Sequence, residues 1–566
     1  MKKLIPIIIA IALICVIVGV NFGKSIFEKY SYGQDRADLN EYFGIFSQSD
    51  VSIILQDEIV ENKAKLRNGV VYFDQDTIEE FFTNRFYVDT NENLLLYTTA
   101  VTTVKSELES NTYTGDGINA SEDYVIAFVE KDKLYIAADF VKKVCNFSYE
   151  LFENPYRIQL YTEWGEKTVA EIKSDTQVRW KAGVKSEILT DVYKGDVVEL
   201  LEELDTWQKV KTSDGFIGYV EGFRLGTSSV EKEVAVNDAL SDDFPSLTRD
   251  KKINLTWHNM EYPQDGGDLI NILAYAKEVN VVSPTWFWIE DNNGTVSEIG
   301  NADYVETAHK MGIEVWALIS DFHAGTDIDM NEVLGYTSKR IELENYLVNA
   351  VLAYGADGIN IDFEKINSKA APSYVQFIRE LSLLCHANNL VLSVDVAPPT
   401  EYTAHYNRGA QSLFVDYLII MGYDEHYAGD PEAGSVSSIG WMKDGIENTL
   451  KYVPANKVIN AVPFYTRVWK TTGGDVTSEA VTMQVSYDFI SSNGIETQWD
   501  EATNQNYGEM NSGDTLYQVW LEDKDSMQIR LNVMSAYKLG GVASWCAGQE
   551  VPEIWDLFEN YMKAAN

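Results

Sequence analysis

The feature that most constrains the fold is a repeat in the C-terminal part of the chain, from Lys251 onward. A short apolar run rich in β-forming residues is followed each time by an amphipathic helical stretch. The eight runs are residues 253–260, 279–289, 313–322, 358–366, 390–399, 416–424, 457–469 and 540–548. Eight such units predict an α/β fold, a (β/α)₈ or TIM barrel, whose usual size is about 250 residues. The extra length lies mostly between Lys470 and Met527, where the pattern predicts a small α+β insertion.

The fourth run contains the strongest functional signal, the segment from Asp357 to Glu364. Side chains alternate along a strand, so Asn360, Asp362 and Glu364 share one face and the apolar residues between them share the other. In a barrel covered by helices the polar face lines the interior, where burial and mutual repulsion raise carboxyl pKa values. The segment therefore predicts a proton donor near neutral pH. The alternative is a solvated charged face on an edge strand, which the β/α repeat disfavours.

Several motifs together resemble glycoside hydrolase family 18. Asp357–Glu364 is similar to the DxxDxDxE signature of that family, and residues 421–424 are similar to its MxYD element. Trp545 in the eighth run matches the tryptophan that forms the floor of a sugar subsite. The resemblance covers most of residues 251–560. It is nearest to the spore cortex-lytic, YaaH-like N-acetylglucosaminidases, through the MxYDEH-type sixth strand at 421–426 and a late VWxED element at 519–523.

The resemblance implies a mechanism in which the acetamide of the substrate acts as nucleophile. Glu364 is then the general acid and base, and Asp362 orients and stabilises the acetamide. Tyr423 is implied as a hydrogen-bond donor to the acetamide carbonyl, and Trp545 as a stacking surface under the sugar ring. No metal and no organic cofactor is implied.

Other residues of these motifs are predicted to bind substrate or support the site. We place Asn360, Asp424, Met421 and Trp257 among the substrate-binding residues, and we also expect Asn360 and Asp424 to adjust Asp362. Trp257, Trp286 and Trp288 at strand ends either line a glycan groove or pack in the core. Asp357, which opens the fourth strand, has either a catalytic or supporting role in the site or a structural role in a turn or a buried network.

Two positions depart from the family pattern. Asn360 stands where many members have an aspartate, which removes one charge from the row and is expected to weaken the pKa shift of Asp362. The SxGG element of the third strand is absent, and the segment from Leu318 to Asp321 stands in its place.

Two small modules are predicted before the barrel. Residues 50–160 combine short β-rich runs with one amphipathic helix, and this α+β pattern loosely resembles the N-terminal module of bacterial copper amine oxidases, without a histidine cluster for copper. Residues 176–225 alternate five short strands with turn signals and resemble the bacterial SH3-type domain, a small all-β barrel. That resemblance implies a wall-binding or peptide-binding role. Residues 226–250 are typical of a linker, and the barrel occupies 251–566.

The N-terminus predicts export. Lys2 and Lys3 precede an uncharged stretch that ends before Lys24, long enough for one membrane-spanning helix. Residues 1–23 are therefore predicted to anchor the chain in the cell membrane with the remainder outside. A cleaved signal peptide, which would give a secreted protein, is the alternative.

Composition excludes one function class. The formal net charge is −42, from 45 basic and 87 acidic residues, which disfavours binding to nucleic acid. The resemblance to family 18, together with the predicted anchor, implies an exported glycosidase that cleaves β-1,4 bonds beside N-acetylglucosamine in peptidoglycan or a chitin-like glycan. The alternatives are a catalytically silent glycan-binding wall protein on the same barrel and a structural protein of the envelope.

Overall fold

The computed structural model describes residues 5–232 and 244–564, which form two compact units. The first unit holds the described residues up to Phe86, Ser106–Tyr113 and those from Asn119 to Lys232. The second holds Tyr87–Lys105, Thr114–Ile118 and the described residues from Phe244 onward. Part of the predicted linker, residues 233–243, lies outside the described residues.

The chain begins with helix α1 (Ile5–Tyr30), which covers most of the predicted anchor. Residues 1–4 of that anchor lie outside the described residues. Within the part of the chain that the structure describes, no helix meets the length and apolarity needed to cross a membrane. The membrane anchor stays a prediction.

Short strands dominate the region of the predicted α+β module, together with helices α3 (Gln75–Phe81) and α4 (Ala138–Val141), and helix α2 (Leu39–Phe43) precedes it. The strands are β1 (Asp50–Leu55), β2 (Glu58–Arg67), β3 (Val70–Asp74), β4 (Phe86–Asp89), β5 (Leu94–Thr98), β6 (Thr103–Glu107), β7 (Thr112–Gly115), β8 (Ile118–Ser121), β9 (Ala127–Glu130), β10 (Lys133–Ala137), β11 (Ser148–Phe152) and β12 (Arg157–Tyr161). They form a seven-stranded sheet, β11-β12-β1-β2-β3-β10-β9, and a five-stranded sheet, β4 to β8 in order. The resemblance to copper amine oxidases stays a prediction.

The predicted SH3-type region forms a seven-stranded sheet in the order β15-β14-β18-β17-β16-β13-β19. Its strands are β13 (Glu166–Glu171), β14 (Thr176–Arg179), β15 (Ile188–Val192), β16 (Val197–Leu204), β17 (Trp207–Thr212), β18 (Ile217–Glu221) and β19 (Ser229–Lys232). Val178, Val198, Val210 and Val220 are buried together, so one valine from each of four strands builds the core.

The predicted TIM barrel is confirmed. Its parallel strands are β20 (Ile253–His258), β21 (Val281–Ile289), β23 (Glu314–Ser320), β24 (Gly358–Asp362), β25 (Val391–Val396), β26 (Tyr417–Met421), β27 (Val458–Pro463) and β33 (Gly541–Trp545). They follow one another around the ring, and β20 pairs with both β33 and β21, which closes it. The short strand β22 (Val296–Glu298) pairs antiparallel with the end of β21.

Helices surround this ring. They are α5 (Leu269–Ile272), α6 (Ala302–Lys310), α7 (Met330–Leu334), α8 (Thr337–Tyr354), α9 (Ala371–Ala387), α10 (Arg408–Ser412), α11 (Ile439–Thr449), α13 (Lys524–Tyr537) and α14 (Trp555–Lys563), with α12 (Met483–Ser492) in the insertion. Ile359 and Ile361 of β24 are buried in the large cluster that the helices cover. Gly358 opens β24 because a Cβ there would lie 2.7 Å from the Val391 carbonyl oxygen of the next strand.

The insertion lies between β27 and α13 and forms a five-stranded sheet with α12, as predicted. Its strands are β28 (Tyr465–Thr472), β29 (Asp475–Thr482), β30 (Gln498–Asp500), β31 (Gln505–Ser512) and β32 (Thr515–Leu521). The VWxED element has a structural role here. Glu522 forms a buried ion pair with Arg530 at 2.8 Å, and Asp523 caps α13 by accepting the N–H of Asp525 and of Ser526.

A hairpin from far upstream, β4 and β5, supplies contacts to α8 and α9 within the second unit. Asp89 is buried, and one of its carboxylate oxygens accepts the backbone N–H and the hydroxyl of Thr337, both at 2.6 Å. Its other oxygen accepts the N–H of Asn91 and of Glu92. The Tyr87 hydroxyl lies 2.9 Å from that of Ser373 on α9. The helices on both sides of β24 are therefore tied to a segment outside the barrel repeat.

We predict that Asp89→Ala destabilises the second unit by about 3 kcal/mol, because several buried donors lose a charged acceptor. Urea unfolding followed by tryptophan fluorescence measures this change. Glu342→Ala, which removes an exposed acid of α8, is the control and should leave the midpoint within error. A midpoint for Asp89→Ala equal to that of wild type would show that the hairpin contributes nothing to the unit.

Candidate active site

A cavity of about 660 Å³ opens at the carboxyl ends of the barrel strands. Its apolar walls come from aromatic side chains at the ends of several strands, which is typical of a site that binds a ring-shaped ligand. The aromatic wall residues include Trp257, Phe287, Trp288, Tyr423, Tyr465 and Trp545. Five acidic residues line the same space: Glu261, Asp362, Glu364, Asp395 and Asp424.

Strand β24 places its polar residues on the inner side of the barrel. Asn360 is fully buried and Asp362 is 5% exposed, at the level where the strand ends. Parallel pairing sets Asp362 beside Ser320 of β23. Glu364 lies two residues past the strand, where its side chain is exposed on the cavity side. The alternation along β24 thus puts one acid at the floor of the cavity and another at its wall.

The carboxyl of Asp362 is held in its neutral form more strongly than an ordinary aspartate. Burial raises its pKa well above the usual value, and the nearby charges of Glu364, Asp395 and Asp321 raise it further. Oδ1 of Asp362 has no hydrogen-bond partner among the described residues. An unpaired oxygen at the cavity floor is free to accept a hydrogen bond from a ligand.

Glu364 is poised to give up a proton near neutral pH. Although Glu364 faces the open cavity, the protein around its carboxyl removes much of the water and raises its pKa to about 7, and the charges of Asp321 and Asp424 raise it further. An acid whose pKa lies near the working pH is both protonated often enough and acidic enough to act as a general acid. These two acids are the pair that the sequence predicted as catalytic.

Asn360 lies beneath the cavity floor and does not line it. Its side-chain amide donates to Asp395 Oδ1 at 2.8 Å and to the Ser393 hydroxyl at 3.0 Å. Its carbonyl accepts from Trp257 Nε1 at 2.9 Å and from the Ser283 hydroxyl at 3.0 Å. The structure therefore places Asn360 as a bridge that fixes Trp257 and Asp395, although the sequence predicted contact with substrate.

The loop after β26 supplies Tyr423 and Asp424, while Met421 closes the strand and also lines the cavity. Burial raises the pKa of Tyr423 well above 10, so its hydroxyl keeps its proton and can donate it in a hydrogen bond. Asp424 has a φ of 56°, a left-handed conformation that aspartate tolerates, and accepts from the Tyr465 hydroxyl at 2.6 Å. The charge of Asp424 raises the pKa of Glu364. It is not among the charges that raise the pKa of Asp362, the residue that the sequence predicted it to adjust.

Of three tryptophans that the sequence selected at strand ends, two line the cavity and one is buried in the core. Trp545 lines the cavity beside Trp257, with 5.8 Å between ring centroids. Trp288 also lines it and stacks on His323 at 4.3 Å. Trp286 is fully buried against Tyr304 and belongs to the core.

Asp357 lies at the opposite end of β24 from the cavity. Its carboxylate lies 2.8 Å from His309 Nε2 and accepts the backbone N–H of Val315 at 2.8 Å. The structure thus places it in a network at the start of the strand, the second of the two roles that the sequence left open.

Sequence reasoning missed three polar residues at or behind the cavity: Asp321, Asp395 and Tyr465. Asp395 shares the inner face of β25 with Ser393, and that alternation is visible in the sequence. Asp321 directly follows β23 and is fully buried, with a pKa raised by burial to about 6. No group of three potential ligands among the described residues is arranged to hold a metal ion. The raised pKa values of Asp362 and Glu364 let the site hold and transfer protons through its own side chains.

Comparison with known proteins agrees with this geometry. Residues 273–550 match the family described as Glycosyl hydrolases family 18, and residues 174–223 match the Bacterial SH3 domain, so both predicted resemblances are confirmed. A cortical fragment-lytic enzyme of Bacillus subtilis is 31% identical over 234 residues, 40% of this chain and 54% of that protein. The chain thus spans about half the length of that relative.

Solved structures share the fold. A chitinase from Chromobacterium violaceum is 22% identical with a TM-score of 0.50, covering 56% of this chain and all of the other. A spore cortex-lytic enzyme from Bacillus cereus is 20% identical with a TM-score of 0.50, covering 56% of this chain and 75% of the other. At this level of identity the likeness shows the barrel fold.

We predict that Asp362→Asn stabilises the protein at neutral pH. Because the folded-state pKa of Asp362 is raised, the stability linked to its protonation is complete below the unfolded value of about 4. That stability is lost as the pH rises through the folded-state value, and asparagine does not ionise. The melting temperature of the variant should exceed that of wild type by about 2 °C or more at pH 8, and the difference should shrink towards pH 4.

Thermal melts across this pH range test the prediction. Asp444→Asn, at an exposed position on α11, is the matched control and should show no pH-dependent difference. A melting temperature of Asp362→Asn below that of wild type at pH 8 would contradict the repulsion inferred for this cavity.

Proposed function

Since residues 273–550 form a glycoside hydrolase family 18 domain, we propose that this protein is a glycosidase. It cleaves β-1,4 bonds next to N-acetylglucosamine in peptidoglycan or a chitin-like glycan, with retention of configuration. The observation that carries the proposal is the position of Glu364 in the cavity wall with a pKa of about 7, while the Asp362 carboxyl lies at the floor of the same cavity. The names of the relatives, a cortical fragment-lytic enzyme and a chitinase, support the substrate class.

In the first step, the acetamide oxygen of the substrate attacks the anomeric carbon while Glu364 gives its proton to the leaving oxygen. The bond to the leaving sugar breaks and an oxazolinium ring forms. Oδ1 of Asp362, which has no partner among the described residues, accepts the acetamide N–H, and Asp362 thereby orients and stabilises the acetamide as the ring forms. The Tyr423 hydroxyl donates to the acetamide oxygen and holds it in line for attack.

In the second step, the Glu364 carboxylate takes a proton from water, and the oxygen of that water attacks the anomeric carbon. The ring opens, the acetamide is restored and Glu364 is again protonated. Two inversions at the same carbon give net retention. Trp545 forms the apolar surface against which the sugar ring packs, with the buried Trp257 beside it, and Met421 and Asp424 complete the wall.

We propose that the remaining modules hold the barrel domain close to its polymeric substrate. The bacterial SH3 domain is proposed to bind the cell wall, and the N-terminal helix α1 to hold the chain in the cell membrane with the modules outside. Cleavage of that segment, which would release a secreted enzyme, is the alternative. The proposed location brings the acid-lined cavity to extracellular glycan strands.

We predict that Glu364→Gln lowers kcat on glycan strands and on N-acetylglucosamine oligomers by at least about 100-fold, the scale of general acid catalysis. Glutamine keeps the shape of the side chain but has no proton to donate. Product release measured by mass spectrometry tests this change, and it also identifies the reducing-end sugar. Glu342→Gln, an exposed position on α8, should retain full activity.

Unchanged turnover by Glu364→Gln would contradict the assignment of the acid. Glycan binding by the wild type with no product after long incubation would instead support a silent glycan-binding protein. If deletion of residues 251–566 left the phenotype of the cell unaltered, the barrel would have no part in the function.

We predict that activity on peptidoglycan rises with moderate salt. The chain carries a net charge of −42 and repels an anionic polymer, and salt near 0.15 M limits that repulsion to about 8 Å. The value of kcat/KM should increase roughly twofold between low and physiological salt. Neutral N-acetylglucosamine oligomers are the control substrate and should show no change, and a flat response on peptidoglycan would contradict an anionic substrate.

A further inference from the structure

The backbone that carries Glu364 is fixed by side chains rather than by the barrel ladder. The parallel pairing between β23 and β24 ends at Asp362, two residues before Glu364. Beyond that point, the carboxylate of Asp321 accepts the N–H of Glu364 at 2.9 Å through Oδ1. It accepts the N–H of Lys365 at 2.7 Å through Oδ2. Both oxygens of one fully buried aspartate therefore hold the two successive amides at the acid.

Asp321 belongs to the segment in which the third strand departs from the family pattern. The SxGG element of that pattern has glycines, which lack a side chain, whereas this chain has Asp321 directly after β23. The full burial of Asp321 without a cation among its hydrogen-bond partners is costly, and its two short amide contacts offset part of that cost. A costly group at this place calls for a role in the site.

We propose that Asp321 is a positioning residue for the reaction proposed above. It fixes the peptide of Glu364 through two amide hydrogen bonds and sets a negative charge beside the side chain of that acid. This inference rests on the proposed function, because the effect of Asp321 is exerted through Glu364. Asp321 itself touches neither the substrate nor the reacting atoms in this proposal.

The charge of Asp321 keeps Glu364 protonated. The pKa of Asp321 is about 6, so its carboxylate is mostly ionised near pH 7, the range in which Glu364 releases its proton. A neighbouring negative charge disfavours ionisation of Glu364. The other titratable groups that face Glu364 are Asp424, Asp362, Asp395, Tyr406 and Tyr423. Lys365 faces Asp321 and lowers the pKa of its carboxyl, which favours the ionised form of Asp321.

The test is the pH dependence of kcat/KM for the full chain with N-acetylglucosamine oligomers. In Asp321→Asn the alkaline limb of the profile should move to lower pH by roughly one unit, because Glu364 loses a negative neighbour. The value of kcat at its optimum should fall roughly 10-fold, because an amide cannot accept both N–H groups and the acid is displaced. Asp321→Ser serves the same purpose if the asparagine variant does not fold.

Asp321→Glu separates charge from position. It retains the carboxylate, so its alkaline limb should stay near that of wild type, while kcat falls because the longer side chain shifts the peptide. Asp416 provides a matched control at the opposite end of the barrel. It is also fully buried and accepts two backbone amides, those of Leu247 and Leu392. Asp416→Asn should lower the melting temperature to a similar extent while leaving kcat and the pH profile unchanged.

A profile of Asp321→Asn that coincides with that of wild type, in both kcat and the alkaline limb, would overturn the proposal. So would an equal shift of the limb in Asp321→Glu or in Asp416→Asn, since either would indicate a general loss of structure. If the wild type hydrolyses no oligomer at all, the proposed function fails first. An active wild type with a silent Asp321 substitution rejects only the role of Asp321.

Discussion

The site depends on one unfavourable interaction, the confinement of several carboxyl groups at one end of a closed parallel barrel. Asp362, Asp395 and Asp321 are each at most 5% exposed, and each has a raised pKa because of burial. Two ionised carboxylates in so dry a place repel each other strongly, so the cluster retains protons that a surface would release. The large apolar core between ring and helices supplies the stability that makes this arrangement possible.

The departures from the family pattern are physically related. Asn360 removes a charge from the row on β24, but its amide donates to Asp395, so an acid on the neighbouring strand lies close to the same place. The loss of a charge at Asn360 is therefore only one of several contributions to the pKa of Asp362, because residues of other strands contribute as well. Asp395 restores a negative neighbour from β25, and Asp321 adds another from the end of β23. Acidic residues from three neighbouring strands and their ends thus surround Asp362, and its environment favours its neutral form.

The sequence predicted what depends on spacing along the chain. The β/α repeat is sufficient for the barrel, and the period of two along β24 selects Asp362 for the interior and Ile361 for the helix side. Asp321 could not be selected in this way, because its importance depends on a loop geometry that no local period encodes. The alternation along β25 places Asp395 on an inner face, but its contact with Asn360 of the neighbouring strand cannot be predicted from one strand alone. The contact of Asp89 with Thr337 is farther still from prediction, since 248 positions separate the two residues. The carboxylate of Asp89 and the donors of Thr337 come together only in the folded chain, so no local pattern predicts their contact.

The overall acidity of the chain and the acidity of the cavity act at different ranges. Charges on the surface are separated from Glu364 by water and ions, and at physiological salt their effect fades over about 8 Å. They influence the approach of a charged polymer but do not set the proton affinity of the acid. Asp321 and Asp424 lie at the same end of the barrel as Glu364, and their charges add to the burial that raises its pKa. Of 87 acidic residues, the few that share this cavity therefore determine the pH at which the site works.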